Sequence, residues 1–192
     1  YRNDPTKAQA EQQVCVDVLV SQLRDPLPSS SDAAAHAQLI AFKHTAQKII
    51  SSRFGLVDRD ERRPGVWSSA DLIFDGCTFH NLTLDGCLVT GDKVSFEGAR
   101  FGPENLSLDG LPFTGPKVSF NGAHFATDLV SFEGARFTAD EMSFSGAHFT
   151  STRVLFDGAK FTGLVVDFMG SRFVGKRVLF RNTRFDVGVH FD

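Results

Sequence analysis

From Val94 onward, apolar and polar positions follow a twelve-residue cycle that restarts at Leu106, Val118, Val130, Met142, Val154, Val166 and Val178. The cleanest copies read VSFEGARF, VSFNGAHF, VSFEGARF and MSFSGAHF. Each copy holds two aromatic slots, spaced alternately five and seven residues apart, and Phe fills fifteen of the sixteen, Leu108 being the exception. Gly occupies the turn position from Gly98 to Gly170 and yields to Asn182 in the last copy. Gly and Asn are the residues that best tolerate positive φ, so the spacing predicts a tight turn in every unit. A helix is excluded, because this rhythm would set the weakest non-proline helix former at regular intervals along it.

Just upstream, DLIFDGCTFHNLTLDGCLV places Phe74, Phe79, Leu84 and Val89 at strict five-residue spacing. Each follows a mostly apolar partner by two positions: Leu72, Cys77, Leu82 and Cys87. This pattern resembles the pentapeptide-repeat family, whose motif sets a small or apolar residue two before a central Leu or Phe. The resemblance covers roughly residues 71 to 187. It implies an all-β, right-handed quadrilateral β-helix in which both residues of each pair point inward and four pentapeptides complete a coil.

The twelve-residue units depart from that pattern, since every second step is seven residues long. One unit per coil would have to enclose two Phe, a Val and an Ala within very short strands, which close packing does not permit. Two units per coil, with extra residues at two opposite corners, is the reading adopted. It makes residues 72–91 a regular first coil, followed by larger ones at 92–115, 116–139, 140–163 and 164–187. At about 4.8 Å per coil the solenoid would be roughly 25 Å long. This register stacks Phe96, Phe120, Phe144 and Phe168 in one interior column and Phe101, Phe125, Phe149 and Phe173 in the next. Leu108, Phe132, Phe156 and Phe180 form a third column, and Phe113, Phe137, Phe161 and Phe185 a fourth. Ala99, Ala123 and Ala147 share a column where a larger side chain would meet the rings.

A second period governs the N-terminal third. Residues 6–24 place Val14, Val18, Leu19 and Leu23 on one helical face, and residues 33–54 do the same with Leu39, Phe42, Ala46, Ile49 and Ile50. Asp32 is the expected N-cap of the second helix, and PLPSSSD the turn between the two. The chain thus divides into a helical cap over 1–70 and a solenoid over 71–192, with Trp67 near the junction as a lid. QQVCVDVLVSQLR also resembles a segment that precedes such repeats in actinobacterial pentapeptide-repeat proteins. Some of these carry membrane helices further upstream, which keeps an upstream anchor among the expectations.

Composition sharpens this picture at a few points. Of 20 Phe, 18 lie at or beyond Phe74, so the aromatics share one dry environment. Cys15, Cys77 and Cys87 show neither a disulfide framework nor a metal-binding C-x-x-C, which favours a reducing, cytoplasmic location. Cys77 and Cys87 fall on opposite interior faces of the first coil, where a buried thiol acts as a small hydrophobe. The net charge of -3 hides an axial gradient. Residues 92–141 hold eight acids and four bases, net -4, whereas 153–185 hold seven bases and two acids, net +5.

Under the 24-residue register, Arg100, His124, His148 and Arg172 form one outward ladder, and Pro112, Arg136, Lys160 and Arg184 another. The candidate interaction surface is Arg136, Lys160, Arg172, Lys176, Arg177, Arg181 and Arg184, facing an anionic partner; the plainer reading is a solvated face balanced by Glu97, Asp109, Glu133 and Asp157. His124 and His148 stack without a third ligand in their column, so no metal or cofactor is expected. The repeated Ser95, Ser107, Ser119, Ser131 and Ser143 carry no adjacent base, and no grouped acid–base set or phosphate loop occurs; the chain is not expected to be an enzyme. The function expected is a scaffold for protein–protein interaction. Family resemblance implies an alternative, duplex-DNA mimicry directed at DNA gyrase, against which the basic C-terminal third argues. A second alternative is anion or nucleic-acid binding by that third, although no aromatic residues are interleaved with its charges. The alternation of Val187, Val189 and Phe191 after Phe185 leaves an uncovered coil edge, the candidate interface of a homodimer.

Overall fold

The structure, a computed structural model, describes residues 5–24, 33–54, 67–85 and 87–191. Two helices, α1 (Pro5–Arg24) and α2 (Ala33–Phe54), precede a solenoid of short parallel strands. The expected N-cap Asp32 and the PLPSSSD turn lie outside the described residues.

The strands fall into four sheets, one for each side of the coil. The first face stacks Leu72–Ile73, Lys93–Ser95, Lys117–Ser119, Glu141–Ser143, Val165–Asp167 and Gly188–His190. The second stacks Thr78–Phe79, Arg100–Phe101, His124–Phe125, His148–Phe149 and Arg172–Phe173. Leu82–Thr83, Leu106–Ser107, Leu129–Ser131, Arg153–Leu155 and Arg177–Leu179 make the third, and Pro112–Phe113, Arg136–Phe137, Lys160–Phe161 and Arg184–Phe185 the fourth. Val94 pairs with Val118, Val118 with Met142 and Met142 with Val166, so a full turn takes 24 residues.

The two ends differ from the sequence reading. Leu72 pairs with Val94, which makes the first turn 22 residues on this face rather than 20. The corner at Gly91 and Asp92 needs two extra residues to reach the next strand, and it turns tightly enough that a Cβ on Gly91 would collide with the Ala70 carbonyl. At the other end the ladder continues past 187: Val189 pairs with Val166, and Phe191 stacks on Phe168 at 5.1 Å. A sixth turn therefore begins.

The interior is built from phenylalanine columns. Phe96, Phe120, Phe144 and Phe168 lie face to face at 4.8, 5.0 and 4.9 Å, and Phe101, Phe125, Phe149 and Phe173 at 5.0, 4.4 and 4.5 Å. Neighbouring columns meet edge-on, as Phe120 does with Phe132 at 89°. Each contact of this kind adds about 0.5–1.5 kcal/mol beyond area burial. Ala99, Ala123 and Ala147 are fully buried beside the rings.

The helices close the N-terminal end by occupying the backbone groups that an open coil leaves unpaired. Gln13 accepts from the Asp71 amide at 2.8 Å and donates to its carbonyl, while Arg24 donates to the carbonyls of Ile73 and Asp75. Ser51 donates to Thr83, and the Leu88 amide donates to the Phe54 carbonyl. Trp67 packs edge-on against Phe54 at the junction.

The buried stripes of the two helices match the pattern only in part: Leu23, Ala46 and Ile50 are buried as expected and Leu19 packs against the core, but other expected positions are not. Val16, Val20 and Leu23 are buried on α1, and Lys43, Ala46, Gln47, Ile50 and Phe54 on α2. Val14 and Val18 stay 62 % and 58 % exposed, and Phe42 and Ile49 also face outward. VCVDVLV offers valines to two helical faces, and only docking on the coil selects between them.

Candidate interaction surface

Outward positions on the strands form straight rows. On the second face Arg100, His124, His148 and Arg172 are consecutive ladder partners, and on the fourth Pro112, Arg136, Lys160 and Arg184 are. The two imidazoles lie 5.0 Å apart and nearly parallel. Burial, then the neighbouring His148 and Arg100, pushes the His124 pKa below its ordinary value. Among the described residues no three His, Cys, Asp or Glu side chains are grouped to hold a metal.

Three of the acids read from the sequence as solvating the faces, Glu97, Asp109 and Asp157, have a structural role. At the corner after the first face, Asp75, Glu97 and Asn121 each accept the hydroxyl of a serine one turn up: Ser95 at 2.5 Å, Ser119 at 2.8 Å and Ser143 at 2.5 Å. After the third face, Asp85 and Asp109 bind Ser107 and Ser131 in the same way, at 2.6 and 2.5 Å. Every V-S-F-E unit carries a serine before its Phe and an acid after it. The signal was in the sequence, but the bonded partners are 20 or 22 residues apart and meet only once the coil is closed.

In the last two turns Leu155, Asp167 and Leu179 replace serine, and the corner column ends in an ion pair instead. Arg181 Nη2 lies 2.5 Å from Asp157 Oδ2, and its Nε donates to the same oxygen at 2.7 Å. Arg184 pairs with Asp186 at 2.7 Å. The hydrogen bond from Arg181 holds the Asp157 carboxyl below the usual carboxylate range, and both arginines are raised in turn.

The seven basic residues singled out from the sequence therefore separate into two groups. Arg181 and Arg184 are engaged within the solenoid. Arg136, Lys160, Arg172, Lys176 and Arg177 are exposed and in no ion pair among the described residues. Arg153, which pairs in register with Arg177 on the third face, joins the second group.

At the C-terminal end Phe185, Val187 and Val189 are half-buried and Phe191 is 61 % exposed. Leu164, Met169 and Val174 add exposed apolar surface at the corners nearby. At the opposite end each buried thiol sits under one helix: Cys77 Sγ is 3.7 Å from the Val20 carbonyl and Cys87 Sγ 3.6 Å from that of Ser51. Burial raises both thiol pKa values to about 11.

The repeat also matches a known family. The family model described as pentapeptide repeats (9 copies) matches residues 74–116, the first turn and nearly all of the second. Over these residues the chain carries the repeats of the pentapeptide-repeat family. Beyond the matched stretch the enlarged units continue the same four columns, so the pentapeptide-repeat coil extends to Phe191 without a break in register. No curated protein and no solved structure matches the chain. Among the described residues no helix of this pentapeptide-repeat protein is long and apolar enough to cross a membrane.

Proposed function

We propose that this pentapeptide-repeat chain is a non-catalytic scaffold that binds an acidic protein surface through the last two turns of its solenoid. The observation carrying the reading is the separation of its cations: among the described residues Arg153, Arg172, Lys176 and Arg177 stand outside any ion pair on adjoining faces, while Arg181 and Arg184 are neutralised from within. Rows of like side chains favour recognition over catalysis, which needs unlike groups converging on one pocket. Affinity chromatography with the intact chain, followed by reconstitution with the purified partner, tests this. Arg153, Lys176 and Arg177 changed together to Glu should abolish binding, whereas Arg184→Gln should leave it intact. Equal retention by both variants removes the basic corner from the reading.

The same cations support anion or nucleic-acid binding as a second reading, which predicts an affinity that falls steeply with salt. The DNA gyrase reading rests on family resemblance and is weakened by the basic end; a supercoiling assay unaffected by micromolar protein removes it.

We further propose that a second copy of the chain covers the C-terminal edge. Gly188–His190, Arg172–Phe173, Arg177–Leu179 and Arg184–Phe185 end the four sheets with an outer edge unpaired among the described residues, beside the exposed Phe191, and the N-terminal edge is the one the helices cap. Sedimentation equilibrium should show a dimer that Val189→Asp dissociates. A chain that remains monomeric at high concentration refutes it.

A further inference from the structure

A cleft of about 640 Å³ runs between α2 and the first two turns of the solenoid, within the size range of small-molecule sites, about 300–1,000 Å³. Its wall holds an unsatisfied buried group. Gln47 is only 3 % exposed, and its Nε2 donates to the Lys43 carbonyl at 3.1 Å, which fixes the other end of the amide as a carbonyl. That Oε1 is buried without a hydrogen-bond partner among the described residues, as is Nε2 of His44 on the preceding turn. Buried polar atoms are nearly always paired, so an orphan in the wall of a cleft calls for a donor from outside the chain, a water or a ligand.

The rest of the lining says what kind of molecule. Asp85 uses Oδ1 to accept both Ser107 and the Asp109 amide, leaving its second oxygen uncommitted among the described residues. Glu104, also on the wall, is exposed and in no ion pair among the described residues. Two carboxylates line the cleft against one ammonium, Lys48, with the buried amide of Gln47 in the wall behind them, so the site is net negative. Among the described residues no three side chains are grouped to hold a metal ion, which leaves a ligand with several N–H donors. A guanidinium or ammonium group meets carboxylates with charge-assisted bonds, and the buried Cys87 and the imidazole of His44 supply apolar surface for a stem.

We propose that this cleft binds a small organic cation, a guanidinium or ammonium carried on a short aliphatic chain. The test is calorimetric titration of the intact chain with agmatine, arginine and spermidine. At least one should bind saturably, with Glu104→Gln weakening it about tenfold or more. Gln47→Leu should weaken it as well, and Asp140→Asn, remote from the cleft, should not. No saturable binding by any of the three overturns the proposal. So does binding that both cleft variants leave unchanged, since the cation then sits elsewhere. Should Gln47→Leu fail to fold, the exposed Glu104→Gln decides alone.

Discussion

Asp109 Oδ1 accepts the Ser131 hydroxyl from the turn above at 2.5 Å and, beside it, the Glu133 amide at 2.9 Å. One carboxylate oxygen thus stitches two turns at a corner where Ser131 is only 2 % exposed. Asp109→Ala strands that hydroxyl and should cost about 1–3 kcal/mol in urea unfolding. Ser131→Ala removes donor and need together and should cost less. A double-mutant cycle showing no coupling would mean the bond contributes nothing.

Two glycines separate conformational from steric demands. Gly134 has φ +65°, and a Cβ added there would meet open space, so Gly134→Ala should cost only the left-handed backbone penalty, about 1–2 kcal/mol. A Cβ on Gly163 would collide with the Ala139 carbonyl one turn below, between two paired strands. Gly163→Ala should be clearly the more destabilising, read as the shift in denaturation midpoint.

The three cysteines should react unequally. Cys15 is exposed, while Cys77 and Cys87 are buried with thiols raised to about 11 and so remain protonated at pH 8. Iodoacetamide followed by mass spectrometry should find one label per native chain and three after unfolding. Rapid labelling of Cys77 or Cys87 in the native chain would show that a helix lifts off the first turn.

The His124–His148 row should make stability depend on pH. The folded pKa of His124 lies below its unfolded value near 6.5, so the unfolded chain takes up the proton first. Stability is therefore complete above that value and is lost as pH falls through the window down to the folded pKa. His124→Gln should flatten the profile between neutral and mildly acidic pH; an unchanged slope assigns the effect to other groups.

Much of this protein was legible in advance because its information is local and repeated. Phe and Gly at fixed spacing require inward columns and tight corners, and two twelve-residue units per coil set the register, so the four faces and the ladder partners of His148 or Arg136 follow from the sequence by itself. Both helices were equally readable from their periodicity. Tertiary structure alone decided which stripe of α1 turns inward, since the valines at 14, 16, 18 and 20 serve either face. It also decided that Arg181 is committed to Asp157 while Arg177 joins no ion pair among the described residues, and that Gln47 lines a cleft with its buried carbonyl unpaired among the described residues. These outcomes depend on groups brought together by coil closure or by docking of the cap, and a repeat encodes its own stacking without encoding what meets its ends and corners.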